Sequence, residues 1–386
     1  QDLSPAPPFC VENEKLDSEG VTRLRAEANV KCVAPDASTW AAFRYDPRRQ
    51  SPARRKREGW GRKALGIGPR SRTGRGVTVA ILDSGVDAEH PAFAHHEAAG
   101  RIERTSWTCG CSPKPCRKPE CQHDERGHGT QCASVFFGQH HKFMTGIAPG
   151  VRRILVGKVL NESAKGSTTA LAKALCWAVD EGAQVILMAL NFDFSSAITR
   201  VKGKKQRVST LDVARVSHQY SLVTLLFSGL IKRLTDRNPD VSPLFVASAG
   251  NASRRRKNAP LQEVGPTTPA NLPEVIAVGA LSGKSGAPYK ISTYSSDKPD
   301  IAAPGQLVLS ATRRGKTRDF TDTSGTSIAA AHVAGAAALW AEELERRFGR
   351  KPTADELRDQ LFQSASLQDI GGRHRHDSGH GIVQVP

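Results

Sequence analysis

The chain has 386 residues, of which 38% are hydrophobic and 24% are charged, and its formal net charge at pH 7 is +17. This composition is typical of a globular protein with a sizeable core, and it excludes a disordered or collagen-like chain. The longest candidate for a membrane span, residues 222–231, contains Thr, Ser and Gly, whereas a spanning helix needs about 20 apolar residues. We therefore expect no membrane span.

Positive charge is concentrated in one stretch of the chain. Residues 44–75 contain 12 Lys and Arg residues against two acidic residues, together with Pro, Gly and Ser. A nucleic-acid-binding domain spreads basic residues and interleaved aromatic residues over one face, but only 6% of this chain is aromatic. We therefore interpret residues 44–75 as a solvated basic linker and expect no nucleic-acid partner.

The segment before this linker, residues 1–43, has its own short pattern. It contains a strand-like stretch at residues 9–11, a helical pattern at residues 17–28 with Asp17 as its N-cap, and alternating residues at 30–33. This pattern predicts a small α+β segment that is separate from the rest of the chain.

After the linker, residues 76–386 alternate between short apolar runs and helical patterns. The predicted strands cover residues 77–82, 154–159, 185–190, 244–249 and 275–278, and the predicted helices cover residues 168–181 and 327–348. Short buried strands separated by helices predict an α/β fold with a mostly parallel central sheet and helices on both faces. Residues 195–242 are longer than a usual connection and include a helical pattern at 210–233, which indicates a helical insert or a lid.

The chain has eight cysteines, of which Cys109, Cys111, Cys116 and Cys121 follow the pattern C-x-C-x4-C-x4-C. Common zinc modules use CxxC pairs, so we favour disulfides under a loop over a zinc site, with the pairing left open. An even number of cysteines and a first residue, Gln1, that is not Met favour a processed, secreted protein. An intracellular enzyme with reduced thiols is the alternative.

Three polar residues with glycines nearby begin or end apolar elements. Asp83 ends the first predicted strand in the sequence D-S-G, His128 stands in G-H-G-T before an apolar run, and Ser327 stands in S-G-T-S before an Ala-rich helix. Taken singly, each has a structural explanation: a turn-capping Asp, a buried His and an N-cap Ser. Together, an acid that orients an imidazole next to a hydroxyl at a helix N-terminus predicts a nucleophilic catalytic triad.

This order of Asp, His and Ser, with the motifs D-S-G, H-G-T and S-G-T-S-x-A-x-x-H-V-A-G, resembles the subtilisin-like serine peptidases over about residues 60–385. The resemblance implies a subtilisin-like fold and peptide hydrolysis through an acyl-enzyme. Asp83 would orient His128, and His128 would take the proton of Ser327 as its oxygen attacks the peptide carbonyl. The motif A-S-A-G-N implies that Asn251 holds the oxyanion together with the N–H of Ser327.

The resemblance also implies where substrates bind and which cofactors are needed. The strand edge around Gly166 and the segment Ala189, Leu190 and Asn191 would pair with an extended polypeptide as added strands. No metal or other cofactor is required for the catalysis. Structural calcium is frequent in the family, but no ligand loop in this sequence can be matched to it.

Residues 9–36 resemble the second half of the inhibitory prodomain that precedes many members of the family. This implies a zymogen that is processed in the exposed basic stretch at residues 54–57, with Cys10 and Cys32 on neighbouring strands where they could form a bridge. It also favours export. A simple N-terminal extension is the alternative.

Two motifs depart from the family's pattern. Ala331 stands where the family usually has Pro, which could shift the nucleophile slightly. The pocket motif S-L-G-G reads Ala189-Leu190-Asn191-Phe192, so side chains replace two glycines and we predict a narrowed pocket that prefers small P1 residues. These departures leave two alternatives to an endopeptidase: a catalytically silent binding protein of the same fold and an acyl-transferring ligase or cyclase.

Overall fold

The computed structural model describes residues 11, 14–27, 30, 33–41, 59–109, 115–139, 144–192, 209–237, 242–255, 264–283, 288–314, 317–371 and 375–386. Several features named above lie outside these residues: residues 9–10 and 31–32 of the N-terminal segment with Cys10 and Cys32, Cys111, the basic residues 54–57, and residues 195–208 and 238–241 of the insert.

The strands are β1 (Ser38–Ala41), β2 (Thr78–Asp83), β3 (Ile102–Ser106), β4 (Arg153–Lys158), β5 (Lys165–Ser167), β6 (Val185–Met188), β7 (Leu190–Phe192), β8 (Leu244–Ser248), β9 (Val275–Ser282), β10 (Lys290–Ile291), β11 (Ile301–Pro304), β12 (Val308–Arg314) and β13 (Thr317–Thr323). The helices are α1 (Ser18–Ala26), α2 (Trp60–Ala64), α3 (Ala94–Ala98), α4 (Pro119–Gln122), α5 (His128–Phe137), α6 (Thr168–Asp180), α7 (Thr210–Asp236), α8 (Thr326–Phe348), α9 (Ala354–Ser364) and α10 (Arg375–Ser378), with a 3-10 turn at Pro91–Phe93. The predicted strands and helices of residues 76–386 are present, with ends that differ by a few residues.

An eight-stranded sheet forms the centre of the structure. Its order is β10-β9-β8-β6-β2-β4-β3, and β11 also pairs with β9. Every pair is parallel except β10 with β9. Because β8, β6 and β2 are neighbours and run in parallel, their carboxyl ends meet at one edge of the sheet, which is where parallel sheets carry functional groups.

Helices cover both faces of this sheet, as the alternation within β2 shows. Val79 and Ile81 belong to a core cluster that includes the buried residues of α5 and α8. Ala80 and Leu82 belong to a second cluster that includes the buried residues of α6 and α7. The fold is therefore α/β with a mostly parallel sheet between two helical layers, as the sequence predicts.

Capping residues explain where several helices begin. The Asp17 carboxylate accepts the Gly20 N–H at 2.7 Å, so α1 begins where the sequence predicts it. In α7, Ser209 and Asp212 form a reciprocal capping box, which starts a helix of 27 residues within the predicted insert. Among the described residues, no helix is both long and apolar enough to cross a bilayer.

The N-terminal segment joins the rest of the chain through a small second sheet. β1 lies between β5 and β7 and is antiparallel to both, with Thr39 opposite Gly166 on one side and Phe192 on the other. The pairing joins residues that are more than 120 positions apart, so local sequence patterns could not predict it.

Candidate active site

Asp83 and His128 form the centre of the candidate site. Asp83 is the last residue of β2, and His128 is the first residue of α5. Nδ1 of His128 lies 2.7 Å from Oδ1 of Asp83 and 3.0 Å from Oδ2, and both side chains are buried. An ionised carboxylate only accepts hydrogen bonds, so we assign a proton to Nδ1, which makes Nε2 the basic nitrogen of the ring.

Glycine allows these two elements to approach so closely. A Cβ atom at Gly129 would lie 2.0 Å from the carbonyl oxygen of Gly85, and Gly85 itself has a φ of +99° that other residues rarely adopt. The glycines that flank the two polar residues in the sequence are therefore needed for the contact between Asp83 and His128.

Asp124 connects the D-S-G turn to α5, and sequence reasoning missed it. Its carboxylate accepts hydrogen bonds from the Ser84 hydroxyl (2.8 Å), the Gly127 N–H (2.7 Å), and the N–H (2.8 Å) and hydroxyl (2.6 Å) of Thr130. Burial raises the pKa of Asp124, and the bonds from Thr130 partly oppose this rise. The signal in the sequence was an acid three residues before the glycine that precedes α5.

Cys132 is a second residue that sequence reasoning missed. It lies one helical turn after His128, and its Sγ is 3.9 Å from Nε2 of His128. Burial raises the pKa of Cys132, so the group is a neutral thiol near pH 7. The i, i+4 spacing in a predicted helix was the available signal.

The pKa of His128 is controlled by its carboxylate neighbour. Burial lowers this pKa, but the charge of Asp83, followed by Cys132 and by the hydrogen bond to Asp83, acts in the opposite direction, and the net pKa lies well above 6.5. Because Cys132 is neutral near pH 7, we attribute the rise to Asp83.

Ser327 and Asn251 lie near the carboxyl ends of β6 and β8, the two strands that precede β2 in the sheet order. The Ser327 hydroxyl donates to the carbonyl oxygen of Ala189, which directly follows β6, at 3.3 Å. The N–H and hydroxyl of Thr326 donate to Oδ1 of Asn251, three residues beyond β8, at 3.0 and 3.1 Å. Since Oδ1 accepts these bonds, Nδ2 is the donor group of the Asn251 amide.

The four predicted residues therefore share one edge of the sheet. Asp83 and His128 are in direct contact at the end of β2, and Ser327 and Asn251 are bound to groups at the ends of β6 and β8. Helices α5 and α8, which begin at His128 and Thr326, pack against each other. Ala331 lies in the second turn of α8, which is continuous from Thr326 to Phe348.

β1 fills the groove between β5 and β7, and three of the four predicted substrate-binding residues lie in those two strands. Ala189, the fourth, lies just before β7. Gly166 lies in β5 on one side, and Leu190 and Asn191 lie in β7 on the other. A Cβ atom at Gly166 would lie 2.1 Å from the carbonyl oxygen of Val159 and 2.7 Å from Oγ1 of Thr39, so only glycine fits there. These residues do pair with an extended strand, and in this structure that strand is Ser38–Ala41.

The side chain of Asn191 occupies space next to Gly250. With its amide oriented to suit its neighbours, the oxygen accepts from the Thr267 hydroxyl at 2.7 Å and the nitrogen donates to Ser248. A Cβ atom at Gly250 would lie 3.0 Å from the Asn191 amide. The Asn191 side chain thus lies beside Gly250, the residue that precedes Asn251.

Potential metal ligands come together in two groups of described residues. One group is Asp83, His128 and Cys132, and the other is Cys109, Cys116 and Cys121. The first group contains the Asp–His pair itself. Structural calcium has no assigned residues and stays a prediction, as does catalysis without a cofactor.

Comparison with known proteins identifies the family of this chain. The sequence profile described as the subtilase family matches residues 74–381. Similar curated proteins include an intracellular serine protease of Paenibacillus polymyxa (28% identical; 75% of this chain and 74% of that protein covered), the subtilisin-like protease PopC of Myxococcus xanthus (29%; 81% and 60%) and thermitase of Thermoactinomyces vulgaris (29%; 70% and 76%). Since the profile covers most of the chain, the chain belongs to the subtilase family and is a serine-type peptidase.

Proposed function

We propose that the chain is a serine endopeptidase that uses Asp83, His128 and Ser327 as its catalytic triad. The observation that carries this proposal is the 2.7 Å contact between His128 and Asp83 at the sheet edge where Ser327 and Asn251 also lie. A buried carboxylate that fixes the imidazole leaves Nε2 to act as the general base.

The catalytic steps follow from this arrangement. Nε2 of His128 takes the hydroxyl proton of Ser327 while the oxygen attacks the peptide carbonyl, and Asp83 stabilises the resulting imidazolium. Nδ2 of Asn251 and the N–H of Ser327 donate to the oxyanion. Nδ2 is the group of Asn251 that donates because Oδ1 already accepts hydrogen bonds from Thr326. His128 then protonates the leaving amine, and water releases the acyl group by the same steps in reverse order.

We further propose that the N-terminal segment is an inhibitory prodomain, which makes the chain a zymogen. β1 takes the antiparallel position between β5 and β7 that an extended substrate would need. The segment therefore blocks the groove until it is cut and released, and the basic stretch at residues 54–57 is the proposed place of cutting. The domain boundary at residue 43 stays a prediction.

For substrate choice, we propose a polypeptide in extended form with a small P1 residue. The Asn191 side chain lies next to Gly250. The family's pattern has a glycine at the position of Asn191, and a glycine has no side chain to fill this space. A large P1 side chain would have to displace the amide and break its bond to Thr267. A peptide library cut mainly after large aromatic residues would contradict this.

The test of the triad is covalent labelling with a fluorophosphonate probe. The chain cut within residues 42–58 should form an adduct on Ser327, and Ser327→Ala should lose both the adduct and at least about 10³-fold in peptide hydrolysis. Ser221→Ala, on the exposed face of α7, is the matched control and should label normally. No adduct in the cut wild-type chain would instead support the silent binding protein.

The acyl-transferring alternative has its own readout. Mass spectrometry of a peptide substrate incubated with a competing peptide amine should show hydrolysed products. Products that are predominantly joined to the amine would contradict the proposal of a hydrolase and support a ligase or cyclase.

For the compartment, we propose export, in keeping with a zymogen that is activated after folding. The Paenibacillus polymyxa relative is named as intracellular, so the similarity alone does not support export. Labelled enzyme should appear in the culture medium of producing cells. Label that is confined to intact cells would contradict export.

A further inference from the structure

Three cysteine side chains that are not part of the proposed triad form a cluster next to β3. The Sγ atoms of Cys109, Cys116 and Cys121 all lie within 4.8 Å of one another. Cys109 follows β3 by three residues, Cys116 is joined to Ser106 by two backbone hydrogen bonds of 2.9 and 2.8 Å, and Cys121 lies in α4. Three separate pieces of backbone thus bring their sulfur atoms to one point.

We propose that these three thiolates bind a zinc ion. Zinc holds thiolates at about 2.3 Å in a tetrahedron, which places the sulfur atoms about 3.8 Å apart, within the range that the cluster shows. A disulfide joins only two sulfur atoms, whereas a zinc ion uses all three members of the cluster at once. The sequence-based preference for disulfides rested on the missing CxxC pairs, and the cluster forms without them.

The segment that carries the cluster, residues 109–121, has a net positive charge, which favours bound thiolates. Zinc with three or four thiolates is negative overall, and the segment contains Lys114, Arg117 and Lys118 against one acid, Glu120. Nearby positive charge favours the deprotonated thiolate that a metal requires. Thiolates select zinc over calcium, which prefers oxygen ligands. The proposal assigns three ligands; Cys111, two residues after Cys109, lies outside the described residues.

The cluster is connected to the segment that carries the Asp–His pair. The Gln122 side chain donates to the carbonyl oxygen of Arg104 at 3.0 Å, and the Lys158 ammonium group bonds to the carbonyl oxygen of His123. Asp124, with its four hydrogen bonds, follows directly. A zinc ion at Cys121 would therefore fix the start of the stretch that holds the D-S-G turn against α5, and its role would be structural.

The first test is the metal content of the full chain purified in the Ser327→Ala background, which avoids self-cleavage. We expect about one zinc ion per chain, released when a mercurial reagent blocks the thiols. Cys116→Ser should lose most of this zinc. Cys176→Ser, which removes a cysteine of α6 outside the cluster, is the matched control and should keep it.

A second measurement covers the case in which Cys116→Ser does not fold. The wild-type chain stripped of metal and refilled with cobalt should show the absorption bands of a tetrahedral thiolate site, with intense thiolate-to-cobalt charge transfer. A zinc-free chain without these bands would overturn the proposal. So would a non-reducing peptide map in which Cys116 is disulfide-bonded to Cys109 or Cys121. None of these readouts depends on peptidase activity.

Discussion

Two segments precede the first strand of the central sheet, and they are attached to the enzyme in different ways. The first, residues 14–41, is held mainly by its end, where β1 pairs with β5 and β7. Next to β1, the Asp36 carboxylate accepts from the hydroxyl of Thr168 at 2.8 Å and from the N–H of Thr169 at 3.0 Å. The helix of this segment, α1, has one buried residue, Gly20. Backbone pairing, a few polar contacts and the partly buried side chains of Ala34 and Ala37, which pack against the core, therefore hold the described part of this segment.

The second segment, residues 59–75, is part of the core. Leu65 is fully buried, and Trp60 is 5% exposed with its indole N–H donating to the carbonyl oxygen of Leu307 at 3.3 Å. Oε2 of Glu342 in α8 accepts the N–H groups of residues 73, 74 and 75 at 2.9, 2.8 and 3.0 Å. Burial of large apolar side chains contributes roughly 1.5–3 kcal/mol each, so this segment contributes to the stability of the fold.

The packing of residues 59–75 contradicts the prediction that the whole basic stretch at residues 44–75 is a solvated linker. Its second half, from residue 59, belongs to the packed enzyme, and its first half, residues 44–58, lies outside the described residues. Cutting in the first half would release the strand that fills the groove and leave the core intact. We therefore expect the processed enzyme to keep residues 59–75.

The largest expected effect on the uncut chain comes from loosening the first segment at Thr39. This residue is fully buried between β5 and β7, so Thr39→Asp would place a carboxylate where it loses its water. Such burial costs several kcal/mol, and about 1.4 kcal/mol is a tenfold change in an equilibrium. The uncut chain should therefore react with the fluorophosphonate probe at least about tenfold faster than wild type.

Ser38→Asp is the matched control for this experiment, because Ser38 is next in the same strand and only half-buried. It should accelerate labelling much less than Thr39→Asp. Equal labelling of wild type and Thr39→Asp would show that β1 does not limit access to the groove, and the first segment would then not be an inhibitor.

The next effect is the dependence of activity on pH once the first segment has been released. Because Asp83 holds the pKa of His128 well above 6.5, the imidazole is protonated and inactive as a base at lower pH. The value of kcat/KM should rise with pH and reach half its maximum well above pH 6.5. A half-maximum at or below pH 6.5 would contradict the assignment of Asp83 as the group that controls His128.

Asp83→Asn tests whether the charge of Asp83 sets the midpoint of this pH profile. It removes the charge that raises the pKa of His128, so the remaining activity should reach half its maximum at a lower pH. The corresponding change in another serine protease lowers kcat by about 10⁴-fold, and we expect a loss of similar size. Gln131→Ala, a change in α5 outside the Asp–His contact, should leave the midpoint of the profile in place.

Short-range patterns predicted the strands and helices of the core and the motifs at the sheet edge. The buried runs at β2, β6 and β8 are visible in the sequence, and their common direction places the residues that follow them together. Contacts between distant elements could not be predicted in this way. The charge of Arg72 suggested a solvated linker, but its guanidinium lies 2.8 Å from the carboxylate of Glu343, 271 positions away. Asp124 and Cys132 had local signals in the sequence, but the contact of Asp124 with Ser84, 40 positions away, could not be predicted.

The smallest expected effect is on the free energy of unfolding. It is measured in two variants, each of which removes one acid that attaches one of the two segments to the rest of the structure. Glu342→Ala leaves three backbone N–H groups of the second segment without their acceptor, so the free energy of unfolding should fall by about 1–2 kcal/mol. Asp36→Ala removes a similar acceptor from the first segment, which contributes little to the core, and should change this free energy by less than about 0.5 kcal/mol. Urea unfolding in the Ser327→Ala background measures both. Equal losses would mean that the first segment is as much a part of the cooperative fold as the second, which would contradict its release by a single cut.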